Sequence, residues 1–343
     1  MSETPVGRSR AGACATAVTE KARTPGTRGL GRIGGMSTRE LTILGTASAV
    51  PTKRRGHNGY FLRWDAHGIL FDPGEGTQRQ MRHAGLSAHD ITRVCVTHFH
   101  GDHSLGLPGV VQRIARDRVD HPVRVAYPAA GQRYWEHLRH ATSFVDTDVI
   151  EAQPLTGDEA AAPGEDDLTV TALPLHHSIP TYGYRLAEPD RVHMLADRLA
   201  QRGVHGPAVG RLKAEGFLVD ESGQRLELAD YSTVRRGQVF AFVMDTGLCD
   251  NAVRLAEGAD LLVIEATFLD GDAGLAERYR HLTAGQAGMV AARAGVRRLV
   301  LTHISERYDR DDDARFVEQA AAHFDGEIVL AQDLTRVAVP PRR

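Results

Sequence analysis

Val94-Cys95-Val96-Thr97-His98-Phe99-His100-Gly101-Asp102-His103-Ser104-Leu105-Gly106-Leu107-Pro108-Gly109 is the stretch on which the reading of this chain turns. The apolar, β-branched run 93–97 has the character of a buried strand. It delivers His98, His100, Asp102 and His103 within six residues, and Ser104 is then expected to cap a helix of small and apolar residues. Three imidazoles and a carboxylate at the carboxyl end of a strand form a metal pocket. Imidazole suits zinc, and a carboxylate can complete the shell or take protons from water at the metal. Gly101 lets the chain turn tightly enough to gather the four groups, which argues against a merely solvated His-rich loop.

Working outward, 343 residues suffice for one large core or two smaller ones. The charge balance, 41 basic against 44 acidic side chains, gives a net −3, so a site for a polyanion would have to be a local patch of Lys and Arg. Cys14, Cys95 and Cys249 are odd in number and form no CxxC, which predicts a reducing cytoplasm. No apolar run approaches the roughly 18 residues of a membrane span, so no membrane partner is expected. Residues 1–35 carry six Lys/Arg, two Glu, seven Gly and no aromatic, with no helical or strand period. They read as a disordered leader, and Met36 is a candidate natural start.

From residue 41 the pattern alternates. Strands are expected over 41–46, 58–64, 68–72, 123–127 and 168–175, and helices over 77–83, from 104, and through Tyr134-Trp135. Strand–helix units follow at 239–244 with 253–256, 261–264 with 284–294, and 299–301 with 314–322, and a strand over 328–331 closes the set. Such alternation, with early hairpins, predicts an α/β fold of two mixed sheets packed together with helices outside. The stretch 187–236 breaks the rhythm. A charged helix over 191–202, a Gly/Pro turn over 203–210 and a polar hairpin over 217–228, with little apolar content, read as a protruding insertion.

Further ligands should sit where other strands end. His176 and His177 end one strand, Asp245 another, and His303 a third. With one of the pair His176/His177, seven positions in all would hold two metal ions. Asp245 bridging both is the economical arrangement, since a shared anion offsets repulsion between dications about 3.5–4 Å apart.

The His98-Phe99-His100-Gly101-Asp102-His103 run matches the HxHxDH signature of metallo-β-lactamase-fold hydrolases, and Ser104-Leu105-Gly106-Leu107-Pro108-Gly109 is similar to the ribonuclease Z family, the tRNA 3′-processing endonucleases. The resemblance continues in order to the C-terminus. It takes in Leu44-Gly45-Thr46, Pro51-Thr52-Lys53-Arg54-Arg55, Phe71-Asp72-Pro73-Gly74-Glu75-Gly76-Thr77-Gln78 and Tyr182-Gly183-Tyr184-Arg185. It also takes in Asp245-Thr246-Gly247, Glu265-Ala266-Thr267, His281 before Thr283, and Leu301-Thr302-His303-Ile304-Ser305.

This likeness implies the αββα sandwich and two zinc ions held by His98, His100, Asp102, His103, His177, Asp245 and His303. His177 rather than His176 matches the ligand, because it stands five positions before the aromatic Tyr182. The implied partner is precursor tRNA, gripped by the inserted arm through Gly206, Pro207, Arg211 and Lys213, and the implied assembly is a homodimer. Two metals would stabilise the phosphoryl oxygens and supply hydroxide at neutral pH. Asp102 would accept a proton, and His281 would help the 3′-oxygen leave. The chain departs from the family at Ile264, where His usually precedes Glu-Ala-Thr, and at Gly56, where Asn usually ends the loop linked to CCA discrimination. The first departure implies a missing imidazole near the site. A hydrolase of small esters on the same fold, or an RNA-binding relative without turnover, are the rival readings, opposed by the insertion and by the intact ligands respectively.

Overall fold

The strand ends that carry chemistry are brought together by two seven-stranded sheets lying face to face. The computed structural model describes residues 39–165, 167–220 and 222–342, so the leader over 1–35 lies outside the described residues. One sheet runs, in spatial order, Arg336–Ala338, Arg39–Gly45, Gly59–Trp64, His67–Phe71, Arg93–Cys95, Val123–Pro128 and Ile150–Leu155. The other runs Glu327–Leu330, Arg298–Thr302, Leu261–Glu265, Val239–Val243, Tyr182–Ala187, Leu168–Pro174 and Ala160–Glu165. Each is mixed. Pairing is parallel from His67–Phe71 to Ile150–Leu155 in the first sheet and from Val239–Val243 to Glu327–Leu330 in the second. It is antiparallel elsewhere in both sheets.

Successive side chains on a strand face opposite ways, so each sheet fills two layers. Leu41, Ile43, Tyr60 and Phe71 of one sheet meet Tyr184, Phe240, Phe242 and Val263 of the other in a fully buried middle layer. The Phe71 and Phe242 rings stack there with centroids 4.5 Å apart. The alternate residues Leu70, Val94 and Val96 pack on Val110, Val111, Ile114 and Trp135 of outer helices, and Val243, Leu262 and Ile264 pack on Leu255, Val290 and Phe316. The result is the helix–sheet–sheet–helix sandwich expected from the alternating pattern. Tyr184 ties the sheets together, its buried phenol donating to the Val96 carbonyl at 2.7 Å.

Three local expectations are corrected. Ser104 does not cap the following helix: it ends the short helix Gly101–Ser104, is buried, and its hydroxyl donates to the His100 carbonyl at 2.7 Å. The helix Leu107–Arg116 starts separately, with Pro108 in its first turn, where its missing N–H costs nothing. Residues 191–202 are not one helix, because Arg191–Met194 pairs antiparallel with Ser232–Arg235 as a two-stranded stalk, and only Ala196–Ala200 is helical. Finally, the expected Gly/Pro turn gives way to the helix Pro207–Glu215. Gly206 (φ 53°) precedes it and Pro207 opens it.

The hairpin Phe217–Val219 with Arg225–Glu227 forms as expected. The arm also buries more than its composition suggested: Leu199, Val204, Leu212 and Leu226 close into a cluster of their own. Ile150–Leu155 was invisible as a strand because solvent-facing residues interrupt it, leaving only its ends buried.

Candidate metal centre

Strands of both sheets point their carboxyl ends at one cavity of about 640 Å³. Arg93–Cys95 leads to His98, Leu168–Pro174 to His177, Val239–Val243 to Asp245, and Arg298–Thr302 to His303. Asp72, Asp245 and His303 all sit at positive φ (42°, 44° and 62°) at the end of a strand. Backbone strain of this kind gathers where a site demands side chains the strand alone would not aim inward.

The outward nitrogens of four histidines are engaged. Thr97 Oγ1 donates to Asp72 Oδ2 at 2.7 Å, so its lone pair receives His98 Nδ1–H at 2.9 Å. Thr267 Oγ1 donates to Glu265 Oε2 at 2.5 Å and in the same way receives His303 Nδ1–H at 2.8 Å. His103 Nδ1–H donates to Asp72 Oδ2 at 2.9 Å, and His177 Nδ1–H to the Arg280 carbonyl at 3.2 Å. A neutral imidazole has one N–H, so each of these rings turns a lone pair inward from Nε2.

There the nitrogens crowd. His98 Nε2 lies 2.9 Å and His177 Nε2 3.4 Å from His100 Nδ1, and His103 Nε2 lies 3.3 Å from His303 Nε2. Asp245 Oδ1 is buried among them and accepts no hydrogen bond, although the Nε2 atoms of His103 and His303 are 3.1 and 3.3 Å away. Lone pairs converging on a buried carboxylate without protons between them need a cation, and this donor set of imidazole and carboxylate fits a divalent metal. His98, His100, His177 and Asp245 could hold one ion; Asp102, His103 and His303 could hold another. Asp245, His281 and His303 make a third such group.

The electrostatics agree. Burial disfavours a charge on Asp245, but His103, His303 and His98 outweigh it and hold its carboxyl well below the usual range. Burial equally opposes a charged His103, yet Asp245, Asp102 and Asp72 raise its pKa well above an ordinary imidazole: positive charge is wanted at this point, and the His103 ring itself carries it unless a cation takes the place of its Nε2 proton.

Asp102 is held by the Ala49 N–H at 2.8 Å. His281 lies beside the His177 and His303 rings, at centroid distances of 5.2 and 5.4 Å. His176 is exposed, and among the described residues only its backbone is engaged, with Thr246 Oγ1 and Gly247 N. Gly206, Pro207, Arg211 and Lys213 are exposed on the arm, and none of them lines the cavity.

Asp72, Glu265 and Thr267 stand in the motifs with no task evident from sequence. Asp72 and Glu265 are fully buried carboxylates. Glu265 receives Thr246 N–H at 2.6 Å and Leu282 N–H at 3.1 Å, and lies 3.0 Å from His281 Nδ1. Burial opposes protonation of His281, but Glu265 prevails and raises its pKa to about 9. Asn58, also unforeseen, sits 3.3 Å from His103 Nε2. A buried polar residue next to a strand end was the available signal for all of them. The imidazole thought to be missing at Ile264 leaves no gap. Alternation on the strand Leu261–Glu265 puts Ile264 among the helix-facing core residues, and it is Glu265 that meets His281.

A four-layer sandwich with His/Asp clusters at the carboxyl ends of its strands defines a metal-dependent hydrolase of the metallo-β-lactamase fold. Residues 222–304 match the model of the β-lactamase superfamily domain, and residues 39–200 match that of the anti-Pycsar protein Apyc1. The chain is 82% identical over 308 residues to ribonuclease Z of Thermobifida fusca (strain YX), covering 90% of this chain and 97% of that one. It is 37% identical over 305 residues to ribonuclease Z of Chlamydia pneumoniae, covering 89% and 98%. Among solved structures it is similar to human tRNase Z, short form, with 25% identity, a TM-score of 0.62 and coverage of 88% and 100%. The chain belongs to the ribonuclease Z family. Among the described residues no helix is long and apolar enough to cross a membrane.

Proposed function

We propose that this chain is a zinc-dependent endoribonuclease that removes the 3′ trailer from precursor tRNA and leaves a tRNA 3′-hydroxyl. The observation that carries this reading is the convergence of inward imidazole lone pairs on Asp245, at a cavity that His281, paired with the buried Glu265, also lines. One zinc ion would be held by His98, His100 and His177 and a second by Asp102, His103 and His303, with Asp245 shared. When bound, the ions supply positive charge for the phosphoryl oxygens and acidify water at neutral pH. Asp102, fixed by the Ala49 N–H, takes the proton of the attacking water. His281, kept charged by Glu265, gives a proton to the leaving 3′-oxygen.

Residues 36–343 form the nuclease domain in this reading, 1–35 a dispensable leader, and 187–236 the tRNA-binding arm. On the arm, backbone N–H groups near Gly206-Pro207 and the cations Arg211 and Lys213 meet phosphates without reading bases. The enzyme works as a cytoplasmic homodimer.

The test is cleavage of a precursor tRNA with and without an encoded CCA, with the product 3′-end mapped. Activity should vanish on chelation and return with zinc. A protein whose arm is replaced by a short Gly/Ser link should lose precursor processing yet still hydrolyse bis(p-nitrophenyl) phosphate. Parental processing by an armless, zinc-loaded protein would refute the role of the arm.

A further inference from the structure

Metal donors line only part of the cavity. The helix Ala273–Tyr279 ends at its edge, and Arg280, at φ 58°, turns the chain so that His281 enters the site immediately afterwards. Arg280 is clamped to His177: its guanidinium donates to the His177 carbonyl at 2.6 Å, and its own carbonyl receives His177 Nδ1–H. Tyr279 is therefore held two residues from the proton donor by backbone fixed on that side. Its side chain lines the cavity yet remains 51% exposed, with the Arg278 guanidinium 5.6 Å from the ring centroid. Among the described residues Arg278 has no hydrogen bond or ion pair, so its charge is uncompensated. A second pair of the same kind, Arg307 over Phe268 at 5.7 Å, lines the same cavity, but there the ring is buried and Arg307 is tied to Asp272.

We infer that Tyr279, backed by Arg278, is the stacking platform for an unpaired nucleobase next to the scissile phosphodiester, an assignment that rests on the precursor-RNA reading above. An RNA that presents one phosphodiester to a recessed metal centre must do so as a single strand. Single strands are held by stacking on aromatic rings and guanidinium planes together with cations for the phosphates. Every base has a π-face, so such a platform tolerates any sequence. Stacking on Tyr279 brings the adjacent phosphate toward Asp245 and His281 without a base-specific contact. The cation beside the ring holds it in place and adds attraction for the backbone.

The experiment is a double cycle of protein and substrate. Parent and Tyr279→Ala enzymes, both zinc-loaded, are given precursor tRNA that is intact or carries an abasic nucleotide on one or the other side of the cut. Tyr279→Ala is expected to lower kcat/KM about ten- to a hundredfold on intact RNA, mostly through KM, and Tyr279→Trp to restore it. The abasic nucleotide on one side should cost the parent a similar factor and leave Tyr279→Ala within about twofold of its rate on intact RNA. Losses that multiply at both positions, or a parent indifferent to both abasic nucleotides, would overturn the assignment. Tyr279→Leu serves in the same cycle if the alanine variant does not fold, and the parent with abasic RNA needs no mutation at all. Failure of the underlying reading looks different: the parent would not cut intact precursor tRNA.

Discussion

Replacing Glu265 by Gln should uncouple His281 from its charge while preserving the shape of the site. In the parent, burial works against the imidazolium and the carboxylate 3.0 Å away works for it, with a pKa of about 9 against an ordinary 6.5. The variant keeps the burial and loses the carboxylate, so its midpoint should fall to 6.5 or below. The change is at least about 2.5 units, or about 3 kcal/mol between the two protonation states; the His281 side chain is only 13% exposed, so solvent screens little of it. At pH 8 about nine-tenths of parent His281 would be protonated, against about one part in thirty in the variant.

Ring-proton NMR on chelated protein reads both midpoints directly. The sign for stability follows from a folded pKa raised above the unfolded one. The contribution is complete below about pH 6.5 and is lost as pH rises through about 9. Metal-free parent should therefore lose more stability than the variant across that interval in denaturant titrations. A variant midpoint within one unit of the parent's would show that Glu265 is not what charges His281.

Three further outcomes are expected. His177→Ala should lower bound zinc and activity whereas His176→Ala should not, because only His177 turns a nitrogen toward His100; equal losses, measured by metal analysis, would contradict the geometry. Asp72→Asn removes the carboxylate that orients His103 and should weaken metal affinity about 10- to 100-fold, read by competition with a chromogenic chelator; unchanged affinity would deny Asp72 that role. A chain starting at Met36 should keep the melting temperature and precursor-cleaving rate of the full chain, since the apolar residues of 1–35 are few, mostly small and without helical or strand period; a marked fall in either would make the leader part of the working enzyme.

The local code was enough for the sandwich and for most of the inward-facing side chains. Short β-branched runs alternating with amphipathic segments specify buried strands and covering helices through neighbours in sequence alone. His98, His100, Asp102 and His103 fall within six residues, so their cluster could be read without any fold. His177 is singled out from its neighbour by the family spacing to Tyr182; in the structure it turns toward His100 while His176 is exposed.

The arm was misread because its helices and stalk depend on partners elsewhere in the chain. Arg191–Met194 is a strand only because Ser232–Arg235 returns beside it, and Leu212 is buried only because Leu199 and Leu226 close over it. The same holds for the groups that tune the centre. Glu265 meets His281 across 16 residues, Asp72 meets His103 across 31, and Thr267 meets His303 across 36. Periodicity reports which face of an element is apolar, but the inward direction of an imidazole lone pair is set by whichever oxygen occupies the far nitrogen. In this molecule those oxygens arrive mainly from other strand ends, so tertiary structure alone decided them.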